Sequence, residues 1–238
     1  MATRFSRALA DEVAGDRDAP LYECWGADRS EHEQLESLYL QPFTPDDPED
    51  DWLCEHVSSG PMLDVGAGVG RHTLFFQDRF ASVAIESDAP LISAMRERGV
   101  HDARQADMFD LPSAFERDRF ATALVIGTQV NLTASMDGLR AFLGDLARIT
   151  TENATAILDS FDPTHPDVTE LPGYRADPTP GLAHRTMQFE YESERGKPLL
   201  FRLFSPERVA EATIGTDWSV HDRFQAESPY YRIALTKQ

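Results

Sequence analysis

The sequence predicts an α/β fold: a doubly wound, mostly parallel seven-stranded sheet with helices on both faces. Three observations carry this. Short apolar runs alternate with helix-period segments over residues 61–158, the pattern of successive strand–helix units joined by right-handed crossovers. The run 120–126 (FATALVI) is almost continuously apolar, as a strand covered on both faces must be. The first strand candidate runs directly into a glycine turn and then a helix.

Taken in order, residues 31–40 (EHEQLESLYL) place Leu35, Leu38 and Tyr39 on one helical face. A proline- and acid-rich loop then leads to a helix start, with Asp47 as N-cap, Pro48 at N1 and acids in the first turn. Met62–Val65 is a short buried strand and 66–70 a tight turn. Residues 71–80 form a helix with Leu74, Phe75 and Phe80 on its apolar face. A second strand at 82–85 precedes a helix over 90–98 that Gly99 stops. A third strand lies near 103–106, the fourth at 120–126, and Ser135 caps a helix running to Ile149. Residues 154–158 form a fifth strand.

Beyond it, prolines at 163, 166, 172, 178 and 180 mark a loop. Residues 184–192 and 199–204 read as an antiparallel hairpin joined across ERGKP. Ser205-Pro206 opens another helix, and 218–224 and 230–235 are the last two strands. The expected organisation is a helical cap or lid over 1–50 and a core over 51–162. A hairpin insertion over 163–204 covers the substrate, and 205–238 hold the closing helix and strands.

The chain has 238 residues and a 41% hydrophobic content, enough for one cored domain and too apolar for a disordered chain. No apolar run reaches the roughly 18 residues a membrane span needs, and the first residues lack a secretory pattern. The expectation is a cytoplasmic protein. Cys24 and Cys54 form neither a disulfide framework nor a zinc spacing, so no metal is expected. The net charge is −19, and Lys197 and Lys237 are the two lysines among 22 basic residues. Such a surface suits a salt-rich medium, where self-repulsion is screened. It also argues against a broad nucleic-acid surface.

Chemistry concentrates in LDVGAGVGR, residues 63–71. Glycines let a backbone approach a ligand closely, and the following helix offers free N–H groups. The turn lies at the carboxyl edge of the sheet. Gly66, Gly68 and Gly70 alternate, and Arg71 occupies the place of the third glycine of a dinucleotide fingerprint. No Gly-Lys-Ser/Thr follows, so the turn is not a P-loop either.

The segment resembles the E/D-x-G-x-G-x-G signature of class I S-adenosylmethionine (SAM) dependent methyltransferases, which have a Rossmann-like fold. The resemblance covers residues 55–160 and the two closing strands. It implies SAM as cofactor. Asp64, Gly66, Ala67, Gly68, Gly70 and Arg71 would form the cofactor turn, and Glu86, at the end of the second strand, would hold the ribose. Ser87 would lie beside the adenosine. Asp107 would meet the adenine amino group while Met108 packs on the ring. Gly127 and Thr128 would end the fourth strand beside the methionine portion. There is no Asn-Pro-Pro-Tyr or Asp-Pro-Pro-Tyr at that strand tip.

Candidates for the substrate side are Gln129 and Asn131 just past the fourth strand, Tyr22 and Trp25 among the N-terminal aromatics with Tyr39 and Phe43, and His184 on the hairpin. His72 reads first as a packing residue. No catalytic residue stands out, because an activated sulfonium methyl needs alignment more than acid–base help. The expected function is methyl transfer to a small-molecule acceptor. A non-catalytic SAM-binding sensor or partner subunit, a nicotinamide-dependent oxidoreductase, and a tRNA or protein methyltransferase remain as alternatives.

Overall fold

The computed structural model describes residues 3–32, 35–225 and 227–238. Helices are α1 (Arg4–Ala14), α2 (Pro48–His56), α3 (Arg71–Phe76), α4 (Ala89–Glu97), α5 (Leu111–Ala114), α6 (Met136–Ile149) and α7 (Pro206–Thr213). Strands are β1 (Tyr22–Trp25), β2 (Asp28–Glu31), β3 (Met62–Val65), β4 (Ser82–Glu86), β5 (Ala103–Gln105), β6 (Phe120–Val125), β7 (Thr150–Phe161), β8 (Tyr174–Ala176), β9 (Leu182–Tyr191), β10 (Glu194–Arg195), β11 (Leu199–Phe204), β12 (Trp218–Gln225) and β13 (Tyr230–Lys237).

The seven-stranded sheet has the order β12-β13-β7-β6-β3-β4-β5. The pairings among β5, β4, β3, β6 and β7 are parallel, and β13 enters antiparallel beside β7. Order reverses between β3 and β6, which opens a crevice at the carboxyl ends of the strands. Side chains alternate between the two covered faces along each central strand, as the pleat requires. Leu63, Val65, Ala123, Val125, Ala156 and Leu158 pack on the α5–α6–α7 side with Phe142 and Val209. Met62, Leu124 and Ile157 pack on the other with Leu53 and Phe76, while Ala84 meets Ile92 and Met95.

The helix starts fall where side-chain oxygens replace missing backbone acceptors. Asp47 accepts from Asp50 N, Ser135 from Gly138 N and Ser205 from Arg208 N. Two boundaries differ from the sequence pattern. The helix expected over 71–80 ends at Phe76, and Phe80 folds back to stack on Phe76 with centroids 5.8 Å apart. The strand expected at 154–158 runs from Thr150 to Phe161, because β13 pairs with it through Phe161 and sustains the ladder past the apolar run.

A second sheet is built on β9, which pairs antiparallel with β11, β10, β8 and β1; β2 pairs in turn with β1. The hairpin does not turn across ERGKP. Glu192 and Ser193, at φ 51° and 62°, make a two-residue turn, and Glu194–Arg195 already pairs back as β10. The loop over 163–180 holds a 3₁₀ turn, Pro166–Glu170, and the short β8.

The N-terminal stretch is not an all-helical cap. Among the described residues of this stretch, α1, a π-helical turn at Glu36–Leu40 and the start of α2 are helical, and 22–31 form a β-hairpin. Of the helix expected over 31–40, the π-helical turn remains; Glu33 and Gln34 lie outside the described residues. Ala8 and Leu9 of α1 pack with Val69, Leu91 and Ala94 of the core. Asp88, just before α4, accepts from Thr3 N at 2.8 Å and Ser6 Oγ at 2.5 Å. Arg4 and Arg7 pair with Glu194 and Glu192 beside the β9–β10 turn. Helix α1 is thereby tied to the parallel core and to the second sheet.

Candidate functional site

The turn after β3 forms because Gly66, Gly68 and Gly70 take φ of 69°, 59° and 80°, a region that side chains disfavour. Gly66 N and Ala67 N both donate to Ile85 O, at 3.0 and 3.1 Å, so the turn is hung on β4. A Cβ on Gly70 would lie 2.5 Å from Val100 Cγ2; here glycine admits close helix packing. At Gly68 the nearest atom to such a Cβ is Tyr39 Cδ1 at 3.9 Å, which leaves its backbone approachable.

Asp64 is 3% exposed and accepts from Thr73 Oγ1 at 2.6 Å. Burial pushes its carboxyl up to about 6, against the pull of that hydrogen bond. It braces β3 against α3. Glu86, at the tip of β4, accepts from Gly68 N at 2.8 Å and Ser87 N at 3.2 Å. Burial lifts its carboxyl to about 7 despite these donors.

A cleft of about 110 Å³ runs from the turn toward β5. Its lining brings together Gly66, Glu86, Ser87, Asp107, Met108 and Gln129, with Ile85, Ala106, Phe109 and Leu132 between them. Asp107 caps the 3₁₀ turn Met108–Asp110 by accepting from Phe109 N at 2.9 Å. Ser87 O accepts from Gln105 Nε2 at 2.8 Å. Gln129 leans over Gly66, where a Cβ would come within 2.4 Å of its Cδ. A half-buried carboxylate, a capping carboxylate and apolar walls from Met108 and Phe109 suit a ribose and a flat heterocycle.

Past β6 the backbone is held in left-handed conformations at Gly127 and Thr128, φ 86° and 61°. Asp159, on β7, explains them. It accepts from Gly127 N at 2.8 Å, Thr128 N at 2.5 Å and Tyr230 OH at 2.8 Å, and is 1% exposed. Burial raises its carboxyl above the ordinary range. Arg232 then links Tyr230 to Asp50 and Glu49 on α2. The apolar run of β7 stops at Leu158, so Asp159 escaped the sequence reading; a carboxylate directly after a buried strand beside the glycine edge was the available signal.

Other candidates lie apart from the cleft. Asn131 is 1% exposed and accepts from Ser160 Oγ at 2.8 Å, so its side chain braces the 3₁₀ turn after β6. Arg71 holds the N-terminal loop instead, with Nε donating to Gln41 O at 3.2 Å and its guanidinium 5.2 Å from the Phe43 ring. His72 packs 4.9 Å from Phe43, and burial drives its imidazole down to about 3. Tyr22 lies under Arg29, 4.4 Å from its ring centroid, on the sheet face where Arg29 and Arg195 pair with Glu190. Trp25 sits at the β1–β2 turn. His184 contacts Arg202 and Asp177. One residue away from Tyr22 and His184, Glu23 and Arg185 occupy the opposite face and pair at 3.1 Å. Tyr39, whose carbonyl accepts from Arg98 Nη1 at 3.0 Å, stands over Gly68.

No family model and no curated relative matches the sequence. Solved structures do match in fold. A SAM-dependent methyltransferase from Bacteroides fragilis, in complex with S-adenosyl-L-homocysteine, aligns over 98% of this chain and 94% of its own, with TM-score 0.78 and 20% identity. The 1,6-didemethyltoxoflavin-N1-methyltransferase of Burkholderia thailandensis aligns over 100% and 92%, with TM-score 0.57 and 15% identity. The amino pentose methyltransferase CalS10 of Micromonospora echinaspora aligns over 79% and 88%, with TM-score 0.58 and 15% identity. The chain has the fold of these SAM-dependent methyltransferases.

Proposed function

We propose that the chain is a SAM-dependent methyltransferase acting on a small-molecule acceptor. The carrying observation is that Gly68 N and Glu86 meet at 2.8 Å in a turn of alternate glycines, at the reversal point of strand order. The fold relatives, two of them named as methyltransferases of small molecules, support the same reading.

In this reading Glu86 accepts from the ribose hydroxyls, Asp107 and Met108 take the adenine, and the turn from Gly66 to Gly70 faces the amino-acid portion. Asp64 and Thr73 keep that turn in place, and Asp159 holds Gly127 and Thr128 against the same space. When bound, the cofactor supplies an activated methyl; the protein supplies alignment and a dry site, worth roughly 7–11 kcal/mol through proximity and orientation. The N-terminal segment and the second sheet close over the carboxyl edge, which favours an enclosed acceptor over a duplex. The net charge of −19 also disfavours nucleic acid.

Calorimetric titration with SAM, S-adenosylhomocysteine and NADH tests the reading. Binding of the first two without the third is expected; binding of NADH alone refutes it. Formation of S-adenosylhomocysteine that depends on an added metabolite extract separates an enzyme from a silent binding subunit.

A further inference from the structure

A second cavity, of about 300 Å³, lies at the opposite end of the parallel sheet from the cofactor cleft. Pro61, Ser82, Asp102 and Arg119 line it, and each stands at or just before the first residue of β3, β4, β5 and β6 in turn. The cavity therefore sits among the amino ends of these strands, whereas the glycine turn and Glu86 follow carboxyl ends. Its volume matches the smaller of the cavities that hold small molecules. The proposed methyl transfer makes no use of it.

Most polar groups of the lining are already engaged. Gln77 Nε2 donates to Gly99 O at 3.0 Å, and Gln77 Oε1 accepts from His101 N at 2.9 Å, which fixes the 99–101 loop beside the end of α3. Asp102, the one acidic residue of the lining among the described residues, is taken by Arg104, whose Nε and Nη2 donate to its two oxygens at 2.7 Å each. Those bonds, joined by the charges of Arg104, Arg119 and Arg96, hold the Asp102 carboxyl below its usual range against partial burial. In a chain of net charge −19, three arginines thus converge on one carboxylate. Arg119 is different. Its guanidinium lies 5.4 Å from the Phe115 ring centroid and 5.2 Å from that of Phe120, and among the described residues its side chain makes no hydrogen bond or ion pair. Ring faces hold a cation without engaging its N–H groups. A planar fork of donors beside a cavity suits a carboxylate. Pro61, Ala81 and Val83 supply apolar lining for the rest of such a ligand.

We propose that the cavity at the amino edge of the sheet is a second ligand site, which binds a small organic monoanion, a carboxylate on a compact apolar body, through the Arg119 guanidinium. One unengaged guanidinium matches one negative charge, which favours a carboxylate over a phosphate monoester. The site stands at the far edge of the sheet from the cofactor cleft, so its ligand binds with or without S-adenosylhomocysteine.

The test uses the full ¹⁵N-labelled chain with benzoate as the probe, benzamide as its neutral counterpart and phenyl phosphate as the dianion, all at one KCl concentration. Benzoate should saturate a single site with a dissociation constant of roughly 1 mM or below, with or without S-adenosylhomocysteine. It should move the Arg119 Nε–H and Gln77 side-chain amide signals and leave those of Gly66, Gly68 and Gly70 in place. Benzamide should bind the parent chain at least about tenfold more weakly, and so should benzoate the Arg119→Gln variant, as expected when a charge-assisted hydrogen bond is lost. The parent-chain signals and the benzamide comparison do not depend on the folding of that variant. Absence of saturation by about 10 mM overturns the proposal. So do signals that move at the glycine turn instead, benzamide binding as tightly as benzoate, or unchanged affinity in folded Arg119→Gln. Phenyl phosphate binding more tightly than benzoate overturns the choice of a carboxylate.

Discussion

Gly68 donates its backbone N–H to Glu86 Oε1 at 2.8 Å, so the tip of β4 braces the turn that follows β3. The carboxylate that stiffens the turn is also the one that faces the cleft. Ligand hydroxyls and the turn therefore share one acceptor, and its protonation state governs both.

The first prediction concerns pH. Glu86 moves from 4.5 up to about 7 on burial, and Asp64 from 3.8 up to about 6. At these two groups the folded chain binds more protons than the unfolded chain between those limits. Their contribution to the stability of the ligand-free protein falls as pH rises through that window and levels off above about 7, opposite in sign to that of His72, whose imidazole burial holds down to about 3. Ribose hydroxyls donate to the ionised form, so S-adenosylhomocysteine should bind more tightly as pH rises through about 7. Glu86→Gln should flatten that dependence and weaken binding by about 1–3 kcal/mol. Calorimetry across the pH series checks this; a parent profile without slope contradicts it.

Asp159 should matter as much to the strand tip as Glu86 does to the turn. Three donors converge on it: Gly127 N, Thr128 N and Tyr230 OH. Asp159→Asn keeps the shape but turns an NH₂ toward some of these donors. A loss of about 1–3 kcal/mol is expected from the denaturation midpoint. S-adenosylhomocysteine affinity should fall with it, because Thr128, a β-branched residue, is held at positive φ against its preference.

Gly70 and Gly15 separate strain from clash. Both have positive φ, 80° and 74°. An added Cβ at Gly70 meets Val100 at 2.5 Å and Met95 at 3.3 Å, whereas at Gly15 nothing lies within 4 Å. Gly15→Ala should carry the backbone cost alone, about 1 kcal/mol. Gly70→Ala should cost a further 1–3 kcal/mol or so from overpacking. Thermal denaturation of the two variants side by side measures the difference; equal losses would contradict it.

Salt should stabilise the fold. A net charge of −19 on 238 residues repels itself in dilute buffer. At about 1 M salt the screening length is roughly 3 Å and that repulsion largely vanishes. The unfolding midpoint should rise between dilute buffer and molar KCl, with sodium sulfate and KCl compared at equal ionic strength to separate screening from ion exclusion. A midpoint that falls in KCl contradicts the expectation.

Much of the core was legible because its signals are local. β3, β4 and β6 are apolar runs, α2, α6 and α7 start on their own side-chain caps, and the three glycines sit at fixed spacing in nine residues. Glu86, Ser87, Asp107, Met108 and Gln129 were found from that frame, and all line one cleft with Gly66. Asn131 and Arg71 have the right address in the chain, but Ser160 and the Gln41 carbonyl engage them.

Local pattern, then, settled the parallel core and the glycine edge, since propensity, capping and strand period act within a few residues of each other. The second sheet followed a different logic. Whether Tyr22 or Glu23 faces the glycine edge depends on the phase of a pleat, and β9, paired from far along the chain, sets that phase. Glu23 meets Arg185 across a separation of 162 residues. Contacts of that kind exist only after both strands are laid against α1 and Tyr39, because long-range packing, and no nearby residue, chooses which side of a strand is inside.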